Sequence, residues 1–157
     1  MLKTLYIRNY ALIETLELDF YAGLNIITGE TGAGKSIIIG ALGLILGNRA
    51  DVSVLNKEDG KCIIEGTFDT TSSAIEKFLV SNELDVETEL KIRREITVTG
   101  KSRAFINDTP VLLQVLTAFG KQIIEIHSQH QSVLLKDEQA QFLLIDQLAK
   151  SEKELES

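Results

Sequence analysis

The sequence predicts an α/β fold in which a β-sheet packs around one buried helix. Three observations carry that expectation. The apolar run Leu24-Asn25-Ile26-Ile27-Thr28 leads directly into a loop carrying Gly29, Gly32 and Gly34. That loop opens a helix from Lys35 to about Leu46, apolar almost all round and therefore expected to be buried on most sides. On either side of this unit, period-two strand patterns alternate with short helical stripes.

Gly29, Gly34, Lys35 and Ser36 fill every fixed position of the phosphate-binding pattern G-x-x-x-x-G-K-[ST], between an expected strand and an expected helix as that pattern requires. Glycine admits backbone angles closed to other residues, so successive N–H groups in the loop can converge on an anion. The segment Gly29, Glu30, Thr31, Gly32, Ala33, Gly34, Lys35 and Ser36 is thus the candidate site for a nucleoside triphosphate. In it, Lys35 is placed to reach the β- and γ-phosphates and Ser36 to give its hydroxyl to Mg2+. The helix N-terminus adds partial positive charge.

At 157 residues the chain suits one globular unit, and its 44% apolar and 25% charged residues are ordinary for a folded domain. No apolar run is long enough to span a bilayer, and Met1-Leu2-Lys3-Thr4 begins a strand rather than a signal peptide, so a cytoplasmic protein without membrane contact is expected. The single Cys62 forms no internal disulfide and is read as a small residue in or near a strand. A net charge of −7 argues against a broad nucleic-acid footprint, so any DNA contact must be local or lie elsewhere in a larger protein. Arg93, Arg94, Lys101 and Arg103 concentrate in one stretch, read as a solvated hairpin face.

Taken in order, residues 2–7 and 14–20 read as strands, the second with Leu16, Leu18 and Phe20 alternating with acids, followed by a turn at Tyr21-Ala22-Gly23. Leu24 to Thr28 reads as a central strand covered on both faces. Gly47 stops the glycine-loop helix, and 49–60 reads as a loop in which Arg49 is a candidate phosphate or partner contact. Cys62 to Asp69 is a strand, and Ser73-Ala74-Ile75-Glu76 fits a capping box opening a short helix. Leu90 to Thr99 and Arg103 to Ile106 bracket a hairpin turn at Gly100-Lys101-Ser102, with a second turn at Asn107-Asp108. Thr109 and Pro110 then suit the cap and first position of a helix ended by Gly120. Gln122 to Ile126 reads as a strand, and a last helix begins near Asp137.

Hydrolysis needs more than a phosphate loop: a strand-end Asp for the Mg2+ shell and a group that orients water. Phe142-Leu143-Leu144-Ile145-Asp146 matches that pattern literally, but its glutamine- and alanine-rich neighbours are helix formers, so it reads as helix. His127 and His130 make two imidazoles without the further ligands of a zinc site. Gln129, at an expected strand end, is a candidate for ligating Mg2+ through its carbonyl and orienting water, beside the plainer reading of a polar loop residue.

Leu5-Tyr6-Ile7-Arg8-Asn9-Tyr10-Ala11-Leu12-Ile13-Glu14, the run Phe20 to Ser36, Leu46-Gly47-Asn48-Arg49-Ala50, Gly100 to Asn107, and Ile126-His127-Ser128-Gln129-His130-Gln131 together resemble the N-terminal head segment of SMC-type ATPases, within a bacterial branch acting in DNA repair. The resemblance implies a P-loop NTPase of the ABC/SMC type, its N-terminal lobe built of mixed and antiparallel sheet around the P-loop helix. It implies ATP and Mg2+ as cofactors, Lys35 and Gln129 as catalytic residues, and Ser36 and Gln129 as Mg2+ ligands. Residues 1–148 would be the head segment and 149–157 the start of a coiled-coil arm. The C-terminal head segment of the same protein would supply the signature motif and the strand-end Asp, and two heads would form a homodimer around ATP and act on DNA. The isolated segment would be inactive or very weak. Arg49 would be the arginine such heads place near the nucleotide. Where many of these heads carry a basic residue after the first-strand aromatic, this chain has Ala11 after Tyr10, so no phosphate contact is implied there. Two other classes remain open on the residues alone: a small P-loop kinase and a non-catalytic nucleotide-binding interaction module.

Overall fold

The computed structural model describes residues 1–29, 34–51, 53, 55, 60–69, 72–124 and 126. Residues Met1–Ile124 make one compact unit. Its framework is a six-stranded sheet in the order β2-β1-β3-β4-β5-β6, and every pairing among these strands is antiparallel. β1 (Leu2–Tyr10) and β2 (Ile13–Asp19) form the first hairpin, then β3 (Lys61–Asp69) pairs with β1 and with β4 (Glu89–Thr97). β5 (Ser102–Ile106) and β6 (Thr109–Val111) complete it.

Strict alternation sorts the two faces. Leu5, Ile7, Cys62, Ile64, Phe68, Leu90, Ile92, Ile96, Ala104 and Ile106 all point inward and are buried. Helix α1 (Lys35–Ile45) lays Ile38, Ala41, Leu44 and Ile45 on this face. Burying each Leu or Ile contributes about 1.5–3 kcal/mol, which offsets the weak helix propensity of the Ile37-Ile38-Ile39 run. Gly66 lets α1 come close, since a Cβ there would stand 2.7 Å from Ile45 Cδ1. Helices α2 (Ser73–Ser81) and α3 (Leu113–Ile123) extend the core, with the rings of Phe78 and Phe119 4.8 Å apart.

The structure corrects four expectations. Leu24–Thr28 is not a strand; it has no ladder among the described residues, because the sheet ends at β2, and Leu24 is 87% exposed. Thr109 and Pro110 do not open a helix but lie in β6. Asn107 and Asp108 both take positive φ, 47° and 61°, the two-residue hairpin geometry that returns the chain alongside β5, and an edge strand tolerates the missing proline N–H. α3 therefore starts at Leu113 and runs through Gly120 to Ile123, so Gln122 and Ile123 are helical. The cap of α2 is Ser72, whose Oγ accepts from the Ala74 N–H at 3.3 Å, one residue before the expected serine. The expected final helix, and the 142–146 run within it, lie outside the described residues.

Candidate nucleotide site

Close packing holds α1 at its middle and at its C-terminal end. The Tyr10 ring, 8% exposed, packs beneath Gly40; a Cβ at that glycine would meet the phenolic oxygen at 2.8 Å. Burial pushes the Tyr10 phenol above its ordinary value, with Cys62 and Asp51 adding to the shift. At the other end, Gly47 takes φ +96° and lies so close to α3 that a Cβ would stand 2.6 Å from Thr117 Cα. Thr117 Oγ1 donates to the Gly47 carbonyl at 3.2 Å, and Gly120 leaves room for the Leu46 backbone. The helix is thus held from its middle to its end, while in its first turn Lys35 stays partly exposed and Ser36 exposed.

That first turn begins on Gly34, with no side-chain cap and no acid within the turn. The Ile38 N–H closes the first backbone bond to the Gly34 carbonyl at 3.0 Å, which leaves the preceding N–H groups and the positive helix end available to an anion. Lys35 is the first helical residue and Ser36, exposed, the second. The Lys35 ammonium donates to the Gly29 carbonyl, so the first and seventh residues of the pattern meet across the loop. A lysine cation, a serine hydroxyl and an uncapped helix end form a donor set that fits a triphosphate with its Mg2+.

Gly29, Gly34, Lys35 and Ser36 are therefore brought together, whereas Glu30, Thr31, Gly32, Ala33, Gln129, His127 and His130 lie outside the described residues. Arg49 is exposed, in the segment after the α1 turn. Among the described residues no cluster of three or more His, Cys, Asp and Glu is arranged to hold a metal, and no helix is long and apolar enough to cross a membrane. Cys62 is buried on the inner face, and burial pushes its thiol up to about 11.

The four basic residues of the hairpin stretch separate. Arg93 lies on the outer face, 2.9 Å from Asp108, 3.5 Å from Glu95 and 3.7 Å from Glu65, over the Phe105 ring at 4.7 Å. Arg94 faces inward, 2% exposed; its Nε donates to Ser102 Oγ at 2.9 Å while the buried Nη1 has no hydrogen-bond partner among the described residues. Desolvation lowers its pKa. Lys101 and Arg103 are exposed. The inward arginine was readable from the alternation Ile92-Arg94-Ile96, which puts it on the buried register despite its charge.

Known proteins resemble this chain in sequence and in fold. The family model for an AAA domain matches residues 4–157. The DNA repair protein RecN of Vibrio cholerae is 41% identical over 150 residues, covering 95% of this chain and 27% of its own length. RecN of Xylella fastidiosa is 39% identical over 155 residues, covering 98% of this chain and 28% of its own. The chain thus spans about a quarter of the length of these curated relatives. Among solved structures, one of an SMC ATPase, studied for ATP-driven dimerization and DNA-stimulated activation, superimposes with a TM-score of 0.64 at 17% identity, covering 94% of this chain and 98% of the other.

Proposed function

This chain belongs to the AAA-domain family, and on that premise we propose that it is the ATP-binding head segment of a RecN-like protein acting in ATP-dependent DNA double-strand break repair and recombination. The observation that supports it is the start of α1, where Lys35 spans back to Gly29 beneath an uncapped helix end.

Residues 29–36 hold the triphosphate. The Lys35 ammonium exchanges the Gly29 carbonyl for the β- and γ-phosphate oxygens, and the Ser36 hydroxyl and Gln129 carbonyl ligate Mg2+. When bound, Mg2+ neutralises phosphate charge. Gln129 also orients the attacking water, and Arg49 approaches the nucleotide from the segment after α1.

The remaining groups for hydrolysis come from the C-terminal head segment of the same protein and from a second head, with two ATP molecules sandwiched in a homodimer. Binding closes the pair and hydrolysis opens it, and this cycle is coupled to DNA. The exposure of Leu24, Ile26 and Ile27 supports a reading in which the C-terminal segment covers this run. Residues 149–157 begin the coiled-coil arm between the two segments, and the protein works in the cytoplasm, at the nucleoid. In the full-length protein, Lys35→Ala is expected to lower DNA-stimulated ATP turnover on the order of 100-fold or more, read by phosphate release. Normal turnover would overturn the assignment.

A further inference from the structure

The outer face of the sheet is sorted by charge along its strands. At the end carrying Leu2, Asp69 and Glu89, the acids Asp69 and Glu89 converge on Lys3 at 2.7 and 2.9 Å. At the opposite end, by the β4–β5 turn, Lys61, Glu95, Thr97, Lys101 and Arg103 line an open cavity of about 170 Å3. Its one carboxylate is already engaged twice, by Lys61 at 2.9 Å and by Arg93 at 3.5 Å. Lys101 and Arg103 have no ion pair among the described residues, so the cavity carries an excess of positive charge.

The turn that presents these cations is rigid. Thr97 N–H donates to the Lys101 carbonyl at 2.9 Å, Gly100 N–H to the Thr97 carbonyl at 2.9 Å, and Lys101 N–H to Thr97 Oγ1 at 3.2 Å, with Gly100 at φ +81°. The register then extends the patch across the sheet. Arg8 pairs with Ile63, Ile63 with Glu95, and Glu95 with Arg103, so Arg8 and Arg103 share one row and one face. Three strand spacings of about 4.8 Å separate them, roughly 14 Å in all. That length matches about four base-pair rises of ~3.4 Å along the axis of a duplex.

We propose that Arg8, Lys61, Lys101 and Arg103 form a docking stripe for the phosphodiester backbone of nucleic acid, separate from the phosphate loop. The shared chemistry is a phosphate anion met by fixed cations. A polymer is favoured over a single free anion because the cations are spread in a row and the cavity is open to solvent along it. The stripe also answers the charge problem: a chain with a net charge of −7 attracts a polyanion only through a local excess of cations. This inference rests on the DNA-linked reading of the protein. None of the four residues belongs to the nucleotide site.

The test is fluorescence anisotropy of the full-length protein with labelled duplex and single-stranded oligonucleotides across a salt series, comparing wild type with Lys101→Gln/Arg103→Gln and with the charge reversal Lys101→Glu/Arg103→Glu. Neutralisation is expected to reduce the slope of log K against log salt by about 1.8 for duplex and about 1.4 for single strands, with a loss of affinity on the order of tenfold or more at 0.1 M salt. Reversal is expected to lose more, and DNA-free ATP turnover to stay at the wild-type rate in both. Equal slopes and affinities in wild type and variants would overturn the stripe while leaving the function standing. Inorganic phosphate that binds wild type alone at matched ionic strength, with DNA affinity unchanged in the variants, would assign the cavity to a free anion and overturn it too. A wild-type protein without DNA affinity would overturn both this proposal and the DNA-linked function.

Discussion

The run Leu24–Thr28 is, residue for residue, more apolar in sequence than β3, yet Ile64 and Phe68 are fully buried whereas Leu24 and Ile26 are 87% and 74% exposed. β3 has a strand on each side and α1 above it. Leu24–Thr28 has no ladder among the described residues, although it delivers the chain into the phosphate loop. The side chain of Asn25 ties the entry of this run to the preceding turn, accepting from Tyr21 N–H at 3.1 Å and donating to the Tyr21 carbonyl at 2.8 Å. One region completes its own core; the other presents apolar surface of the kind that a further segment covers.

That contrast can be broken by substitution. Ile64→Ala removes a fully buried side chain at the centre of the sheet, and its unfolding free energy is expected to fall by about 2–5 kcal/mol, measured by denaturant titration. A loss below about 1 kcal/mol would mean that the sheet is looser than it looks. Cys62, on the same strand, extends the comparison to pH. Its folded-state pKa of about 11 lies above the ordinary thiol value of 9.0, so the folded chain keeps its proton while the unfolded chain loses it. The stabilisation is complete below about pH 9 and fades as pH rises towards about 11, and Cys62→Ala is expected to flatten that limb of the stability curve. The smallest effect is expected at Ile26. In the 157-residue chain Ile26→Asp should change stability by no more than about 0.5 kcal/mol, while in the full-length protein it should weaken nucleotide binding and stability together.

The same contrast explains which features were legible from residues alone. Period-two patterning located β1 to β5 because each has its inner face covered within this chain. The near-continuous apolar character of Leu24–Thr28 reported a stretch suited to burial, which says nothing of what supplies the neighbour. Pro110 suits a first helical turn and an edge strand equally well, and only the paired positive φ angles at Asn107 and Asp108 decide between them. Adjacent Ser72 and Ser73 offer two caps, and the choice follows from placing Ile75 and Leu79 in the core. α3 passes Gly120 because that glycine serves close contact with the Leu46 backbone rather than a stop. In the site, the spacing of Gly29, Gly34, Lys35 and Ser36 was fully readable, since it follows from local loop chemistry. The four basic residues of the hairpin stretch read as one solvated face because they cluster along the chain; the period-two register of Ile92, Arg94 and Ile96 is the signal that divides them between two faces.

On the proposed function, this chain holds half of a composite nucleotide site. The direct measurement is steady-state ATP turnover by the 157-residue chain, alone and after addition of the C-terminal head segment. Negligible turnover alone, restored on mixing and abolished again by Lys35→Ala, is the predicted result. Turnover by the chain alone at the rate of the full-length protein would contradict it.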